Sequence, residues 1–484
     1  MKKLNFIIKC GLALLLLSFY SCESWLNVTP SDRLSEEMLF NDREGFVKAL
    51  NGVYIELNTN ELYGRNLTAG ALDVMGQYYS VASSSHAFYN YGGLVYTGND
   101  EKALFDNMWQ KCYAVIACCN TIIEKCDENK AGLSPVWRGS IKGEALALRA
   151  MLHFDMLRLF GPLTSELDKE SIPYQTNSDQ TVTPLLSGSE VVGLILDDLK
   201  NAVGLLKDTD PYFVEEEFSD TDLNYRRFRM NYFAAKGLMA RVQLWGGDKE
   251  KAAATAKEVI AEGQAEGAEF FPFVTNSEAT SSNPDRVFYS EVLFGTYHSS
   301  REKLHEDLFA PTLESTSILT LAGTARRDDL YDNENDYRYS VWSTYNKNGT
   351  SVLYHRKFEK QDNVTASRQY MIPLIRMSEM YLIAVECCKL DEASVYLNTF
   401  RNARNCNSLA LTEDNRINIL ANEYKKEMLG EGQLFFFYKR QEMVNIPDGN
   451  QATGTKNVEL AKYAVPLPES ETDQRISSTD ISNE

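Results

Sequence analysis

Apolar residues recur at three-to-four spacing along nine stretches of the chain: 41–59, 102–126, 140–160, 189–206, 231–245, 249–261, 375–388, 392–405 and 416–429. That spacing predicts helices with one buried face. In the fourth stretch the stripe is Ile195, Leu199, Ala202 and Leu206. In the second, Cys112, Cys119 and Cys126 repeat every seven residues beside Val115, Ile122 and Ile123. Free cysteine on such a stripe behaves as a small hydrophobe. Three polar, loop-like regions interrupt the pattern. Residues 76–99 are rich in Ser, Gly and Tyr, 215–225 are acidic, and 276–349 hold only short β-like runs such as "EVLFGTYH". Irregular stretches this long inside a compact chain are usually functional.

One pair of stretches reads as a unit, "FAAKGLMARVQLWGGDKEKAAATAKEVIA". Gly246-Gly247-Asp248 predicts a tight turn, and Ala240, Ala252 and Ala256 are small where two helices must approach. The pair resembles a tetratricopeptide hairpin of about 34 residues. "MYLIAVECCKLDEASVYLNTFRNAR" is a second such pair without the Gly-Asp turn. Hairpins of this kind need neighbours to bury their faces, so a stack of helix pairs is expected.

Composition narrows the function classes. The 484 residues are 44% hydrophobic and carry a net charge of −19, which disfavours nucleic acid and anionic lipid surfaces as partners. Residues 1–21 combine Lys2 and Lys3, the apolar run "CGLALLLLSFY" and Ser21, the pattern of a signal peptide. Residues 22–484 then form the mature domain. Cys22 follows "FYS", as in a relaxed bacterial lipobox, so its thiol is expected to carry a lipid anchor; the alternative is an incidental cysteine after an ordinary cleavage site. Acyl chains contribute about 0.8 kcal/mol per buried CH₂, so such an anchor holds. There is no C-x-x-C pair and no Cys/His cluster, so neither a metal nor a redox cofactor is expected.

Six separated motifs then occur in order: "WLNVTPSDRLSEEMLF" (Trp25 to Phe40), "ALALRAMLHFDMLRLFGPL" (Ala145 to Leu163), the hairpin from Phe233, "MIPLIRMSEMYLIAVE" (Met371 to Glu386), "NEYKKEMLGEGQLFFFYKR" (Asn422 to Arg440) and "YAVPLPESE" (Tyr463 to Glu471). Together they resemble the SusD/RagB family of outer-membrane lipoproteins over nearly the whole mature chain. The resemblance implies a mainly α fold, a superhelix of tetratricopeptide-like helix pairs with a loop-rich, irregular half mounted on it, here with an insertion over about 265–370. It implies a SusC-like TonB-dependent outer-membrane transporter as partner, with the lipoprotein as its lid. The implied role is capture of oligosaccharides, or in some members peptides, without catalysis. The chain departs from the family's C-terminal pattern at Lys425, Lys426, Leu434, Phe435 and Phe437, and keeps Glu427, Glu431, Gly432, Phe436 and Arg440. These changes put the C-terminal packing in question. Only Glu23 stands where an acidic run after the anchor would favour surface display.

Pyranose rings present apolar C–H faces to Tyr and Trp, and hydroxyls to polar neighbours. The loop "GQYYSVASSSHAFYNYGGLVY" supplies Tyr78, Tyr79, Phe88, Tyr89 and Tyr91 among Ser and Gly. The segment "DYRYSVWSTYNKNG" supplies Trp342 and Tyr345, flanked by Asn346 and Asn348. Either these rings are exposed to ligand, or they pack the loops onto the scaffold. The acidic run "DDLYDNEND" offers oxygen ligands for Ca²⁺, but lacks the Gly and terminal Glu of an EF-hand loop and reads as a solvated loop. The five histidines are scattered, with His153 expected as a packed core residue, and no H-E-x-x-H, G-x-S-x-G or phosphate-binding glycine motif is present. A lipid-anchored glycosidase would need two carboxylates facing each other across a cleft, which sequence cannot reveal.

Overall fold

The computed structural model describes residues 36–179, 182–267, 269–473 and 475. The leader, Cys22 and the first part of the Trp25-to-Phe40 motif lie outside them. Nine helices match the nine periodic stretches: α1 (Arg43–Glu56), α2 (Asn99–Glu128), α3 (Pro135–Phe160), α4 (Gly188–Thr209), α5 (Tyr232–Trp245), α6 (Lys249–Gly263), α7 (Met377–Cys387), α8 (Leu390–Asn402) and α9 (Arg416–Glu427). Each packs on its sequential neighbour from α1 to α8, with α1 also touching α3; α9 returns onto α7. This is the mainly helical stack of pairs that the hairpins predict.

Local chemistry starts these helices. Ser134 caps α3 ahead of Pro135 at its first position, and Ser187 forms a capping box with Glu190 on α4. Gly247 takes φ +85°, which a side chain would resist, and the Asp248 carboxylate then accepts from Lys251 N at 3.0 Å to cap α6. Ala240, Ala252 and Ala256 are fully buried where α5 and α6 meet. The Cys112, Cys119 and Cys126 stripe is buried on α2, as the spacing requires.

The innermost helix is α3, buried almost throughout from Gly139 to Phe160. Several of its polar groups are paired. Arg149 forks onto Asp198 of α4 with two bonds of 2.7 Å. His153 contacts Arg149 O and accepts from Gln175 N, each at 3.0 Å, and stacks on Tyr174 at 4.0 Å. Burial pushes its pKa down to about 3, so it is an uncharged core residue.

Among the described residues are eight short strands, β1 (Glu170–Pro173), β2 (Leu185–Ser187), β3 (Val292–Tyr297), β4 (Trp342–Lys347), β5 (Thr350–His355), β6 (Met371–Arg376), β7 (Asn445–Pro447) and β8 (Thr455–Asn457), paired antiparallel as β1–β2, β3–β6, β4–β5 and β7–β8. The run "EVLFGTYH" is thus a strand, paired from Val292↔Arg376 to Tyr297↔Met371. The helical period expected from residue 375 yields to β6 for two residues, and α7 begins at Met377. A further helix, α10 (Gln433–Arg440), is only eight residues long, too short for a repeating stripe, and buries Gln433 to Lys439.

Buried charges join the loop-rich segment to the helical stack. Arg338, just before β4, donates to Asp336 and to Glu423 and Glu427 of α9. Arg404 reaches Glu427 and Glu291, Arg376 reaches Glu427 and Glu431, and Lys357 pairs with Glu431. Arg401 and Lys426 share Glu423 and Asp332. The acidic run at 328–336 is therefore not simply a solvated loop. Asp336 is buried against Arg338, and Asp332 is drawn inward by two cations. The C-terminal family positions pack as well: the substituted Phe437 stacks on Tyr424 at 4.4 Å, and the kept Phe436 lies under the Arg158 guanidinium at 3.9 Å.

Candidate functional site

The two aromatic regions named from the sequence meet through a third segment, 312–320. Ser80 N donates to Thr320 O at 2.7 Å, Ala87 N to Thr316 O at 3.2 Å, and the His86 ring contacts Ile318 O at 3.2 Å. From the other side, Thr320 Oγ1 donates to Leu353 O of β5 at 2.6 Å. Lys347 Nζ donates to Thr312 O and Leu313 O at 3.1 and 2.9 Å and pairs with Glu314 at 3.0 Å. The hairpin closes on Asn348 and Gly349, both at positive φ (52° and 88°), the backbone a tight two-residue turn requires. Segment 312–320 thus fixes the hairpin relative to the tyrosine loop.

Most of the named rings do not face solvent. Tyr78, Tyr79, Phe88, Tyr91 and Trp342 are buried, which corrects the exposure expected for them. Tyr78 Oη donates to Tyr424 O, and Tyr79 Oη to Asp73 Oδ2, both at 3.2 Å. Phe88 packs on Tyr91 at 5.8 Å, Tyr91 on Phe105 of α2 at 6.1 Å, and Tyr96 Oη donates to Lys462 O at 2.8 Å. Trp342 Nε1 donates to Tyr331 Oη at 3.2 Å. The loop turns its small residues Ala82 to Ser85 outward and its rings inward, because the rings have more apolar area to bury.

Tyr89 and Tyr345 remain accessible, at 43% and 45% exposure. The reason is local in both cases. On β4 a spacing of three places Trp342 and Tyr345 on opposite faces, so burying one presents the other. In the single helical turn from Tyr89 to Gly92, Tyr91 points inward and Tyr89 outward. Ser83, Ser84 and Ser85 are exposed in the same loop as Tyr89, Asn346 and Asn348 are exposed in the same hairpin as Tyr345, and exposed Glu314 is bonded to Lys347 of that hairpin. Two amphipathic rings among hydroxyl, amide and carboxylate groups suit a sugar's alternating faces and edges. The contribution of Lys347 and Glu314 was missed in the sequence because it depends on a cross-loop contact with no local signature.

The strongly perturbed carboxylates lie elsewhere and are structural. Burial pushes Asp73 up to about 7, although it accepts from Gly430 N at 2.6 Å and Gly432 N at 2.9 Å. It is enclosed, holding the turn before α10. Among the described residues no group of three or more His, Cys, Asp and Glu is placed to hold a metal, and no helix is long and apolar enough to cross a membrane.

Two family models match the chain, one described as "Starch-binding associating with outer membrane" over residues 24–244 and one as "SusD family" over 283–476. A SusD-like protein P2 from Formosa agariphila is 25% identical over 265 residues, 53% of this chain and 46% of that protein. A SusD-like protein from Bacteroides ovatus is 30% identical over 146 residues, 29% of this chain and 23% of that one. The matches span less than half the length of these curated relatives. Among solved structures, a SusD superfamily protein from Bacteroides thetaiotaomicron superposes with a TM-score of 0.70 at 21% identity, covering 89% of this chain and 98% of that one. A laminarin-binding SusD-like protein superposes at 0.65 and 18% identity, covering 89% and 97%. These likenesses establish the fold.

Proposed function

This chain belongs to the SusD/RagB family, and on that premise we propose that it is a surface lipoprotein that captures oligosaccharide and passes it to a TonB-dependent outer-membrane transporter. The match of both halves of the chain to family models carries the reading. The geometry supports it through two solvent-facing tyrosines, Tyr89 and Tyr345, held by loops pinned to a common segment. A preformed surface keeps the ordering cost of binding low. The mechanism is capture without bond cleavage. Among the described residues, the carboxylates gathered around Arg338, Arg376, Arg401 and Arg404 are held in ion pairs, which supports capture over cleavage.

Alanine at Tyr89 and Tyr345 together is expected to weaken capture of a glucan such as laminarin or starch by about 2 kcal/mol or more, roughly 30-fold, at an unchanged melting temperature. Calorimetric titration and a thermal melt read the two effects. Wild-type affinity in the double variant would remove this surface from consideration, and shortening of the glucan by the pure protein would make it an enzyme. A peptide-capturing role would appear as peptide binding in the same titration.

Anchoring rests on Cys22, outside the described residues. Cys22→Ala should release the protein from the membrane fraction, and its retention there would refute lipidation. A tether raises the local concentration of a membrane partner to about millimolar, so a modest contact suffices for the transporter. Gentle detergent extraction should then recover the two together.

A further inference from the structure

A cleft of about 430 Å³ opens among α1, the start of α3, the segment 211–229 and the end of β3. It shares no lining residue with the Tyr89–Tyr345 surface, and its size falls within the range of small-molecule sites. Two aromatic walls line it. Trp137 packs on Phe218 with centroids 4.6 Å apart, and Tyr225 lies 6.0 Å from Tyr297. Tyr225 is 38% exposed. Its polar wall is fixed: Tyr54 Oη donates to Glu144 Oε2 at 2.6 Å, and Glu144 pairs with Arg226, which forks onto Asp210. Arg229 stacks over Tyr54 at 4.4 Å and donates to Asn51 Oδ1 at 2.6 Å. Thr296, only 2% exposed, leaves its Oγ1 without a hydrogen-bond partner in this wall, as do Trp137 Nε1 and Asn58 Oδ1. Orphaned polar atoms of this kind need an explanation in a native fold.

We propose that this cleft is a second carbohydrate site, taking one or two neutral sugar rings independently of the Tyr89–Tyr345 surface. The spaced aromatic walls suit the two apolar faces of a pyranose, and the fixed ion-paired floor offers donors and acceptors to its hydroxyls. Neutrality follows from the charge balance. Arg226 and Arg229 are already committed to acidic or amide partners, while the rim segment carries Glu215, Glu216, Glu217, Asp220 and Asp222, which repel an anion. The volume admits a mono- or disaccharide and excludes a folded partner.

The test is calorimetric titration of the detergent-extracted protein with glucose, maltose, laminaribiose, cellobiose and mannobiose, with a trilysine peptide as the competing chemistry. At least one sugar is expected to bind. Tyr225→Ala should weaken it roughly tenfold or more, and the Tyr89/Tyr345 double alanine variant should leave it unchanged. Asn51→Trp, which plugs the mouth from an exposed position on α1, should abolish it even if Tyr225→Ala fails to fold. The proposal is overturned if no sugar binds at ~10 mM, if binding is lost only in the Tyr89/Tyr345 variant, or if trilysine binds and the sugars do not. Capture of long glucan by the Tyr89–Tyr345 surface is read separately, so either site can fail alone.

Discussion

Glu427→Ala is expected to remove about 3–5 kcal/mol of folding stability, the loss typical of leaving buried charges uncompensated. Glu427 is fully enclosed by Arg404, at 3.0 and 2.7 Å, by Arg338 at 3.3 Å, and by Arg376. Alanine removes the carboxylate that Arg404, Arg338 and Arg376 share, leaving these buried guanidinium groups to Glu291, Asp336, Glu423 and Glu431. Against a total stability of about 5–15 kcal/mol that is enough to lower the folded yield. Urea unfolding followed by circular dichroism reads the loss, and a shift below about 1 kcal/mol would show that the network is dispensable. Acid should have a related effect. Burial alone would raise the Glu427 pKa, but the guanidinium groups of Arg404 and Arg376 hold it well below the usual range. Glu423 is likewise lowered against its burial, by Arg338, Lys426 and Arg401. The stability these groups contribute is present above the unfolded glutamate pKa of about 4.3 and is lost as pH falls below it. Asp73 acts in the opposite sense: raised to about 7, it favours the fold below its ordinary value of 3.8 and loses that contribution as pH rises towards 7.

Trp342→Ala is expected to cost about 3–5 kcal/mol of stability, the loss typical of an excised core aromatic, while leaving glucan affinity unchanged in whatever fraction stays folded. Trp342 is 5% exposed, bonded to Tyr331 and 5.2 Å from the His355 ring. That histidine is fully buried, and burial holds its pKa well below the ordinary value, so it packs as a neutral ring and cannot replace the lost indole. Three residues on, Tyr345→Ala should leave the melting temperature unchanged. Parallel melts of the two variants give a direct reading of strand geometry: opposite faces, opposite consequences. Equal melting temperatures would contradict the burial of Trp342.

The division between what was legible in the chain and what was not follows the range of the forces. Nine helices, the Gly247 turn, the small-residue contact at Ala240 and the cysteine stripe of α2 all follow from residues within a few turns of one another, and a periodic stripe already states which face is buried. The ordered motifs pointed to the family for the same reason, since each is a local packing unit. The irregular half was not legible in this way. Tyr78 is buried by a partner 346 residues away, and Tyr89, eleven residues on, is left exposed. Composition alone made both look like surface rings among serine and glycine. Asp332 of the acidic run read as solvated until Arg401 and Lys426 arrived beside it from far along the chain. The helix α10 spans only eight residues, too few for a stripe to repeat. Local spacing determined the elements and the faces they bury. Which loop rings stay wet, and where a cleft opens between α1, α3 and β3, was decided by long-range contacts, because solvent exposure depends on what the rest of the fold places over a side chain.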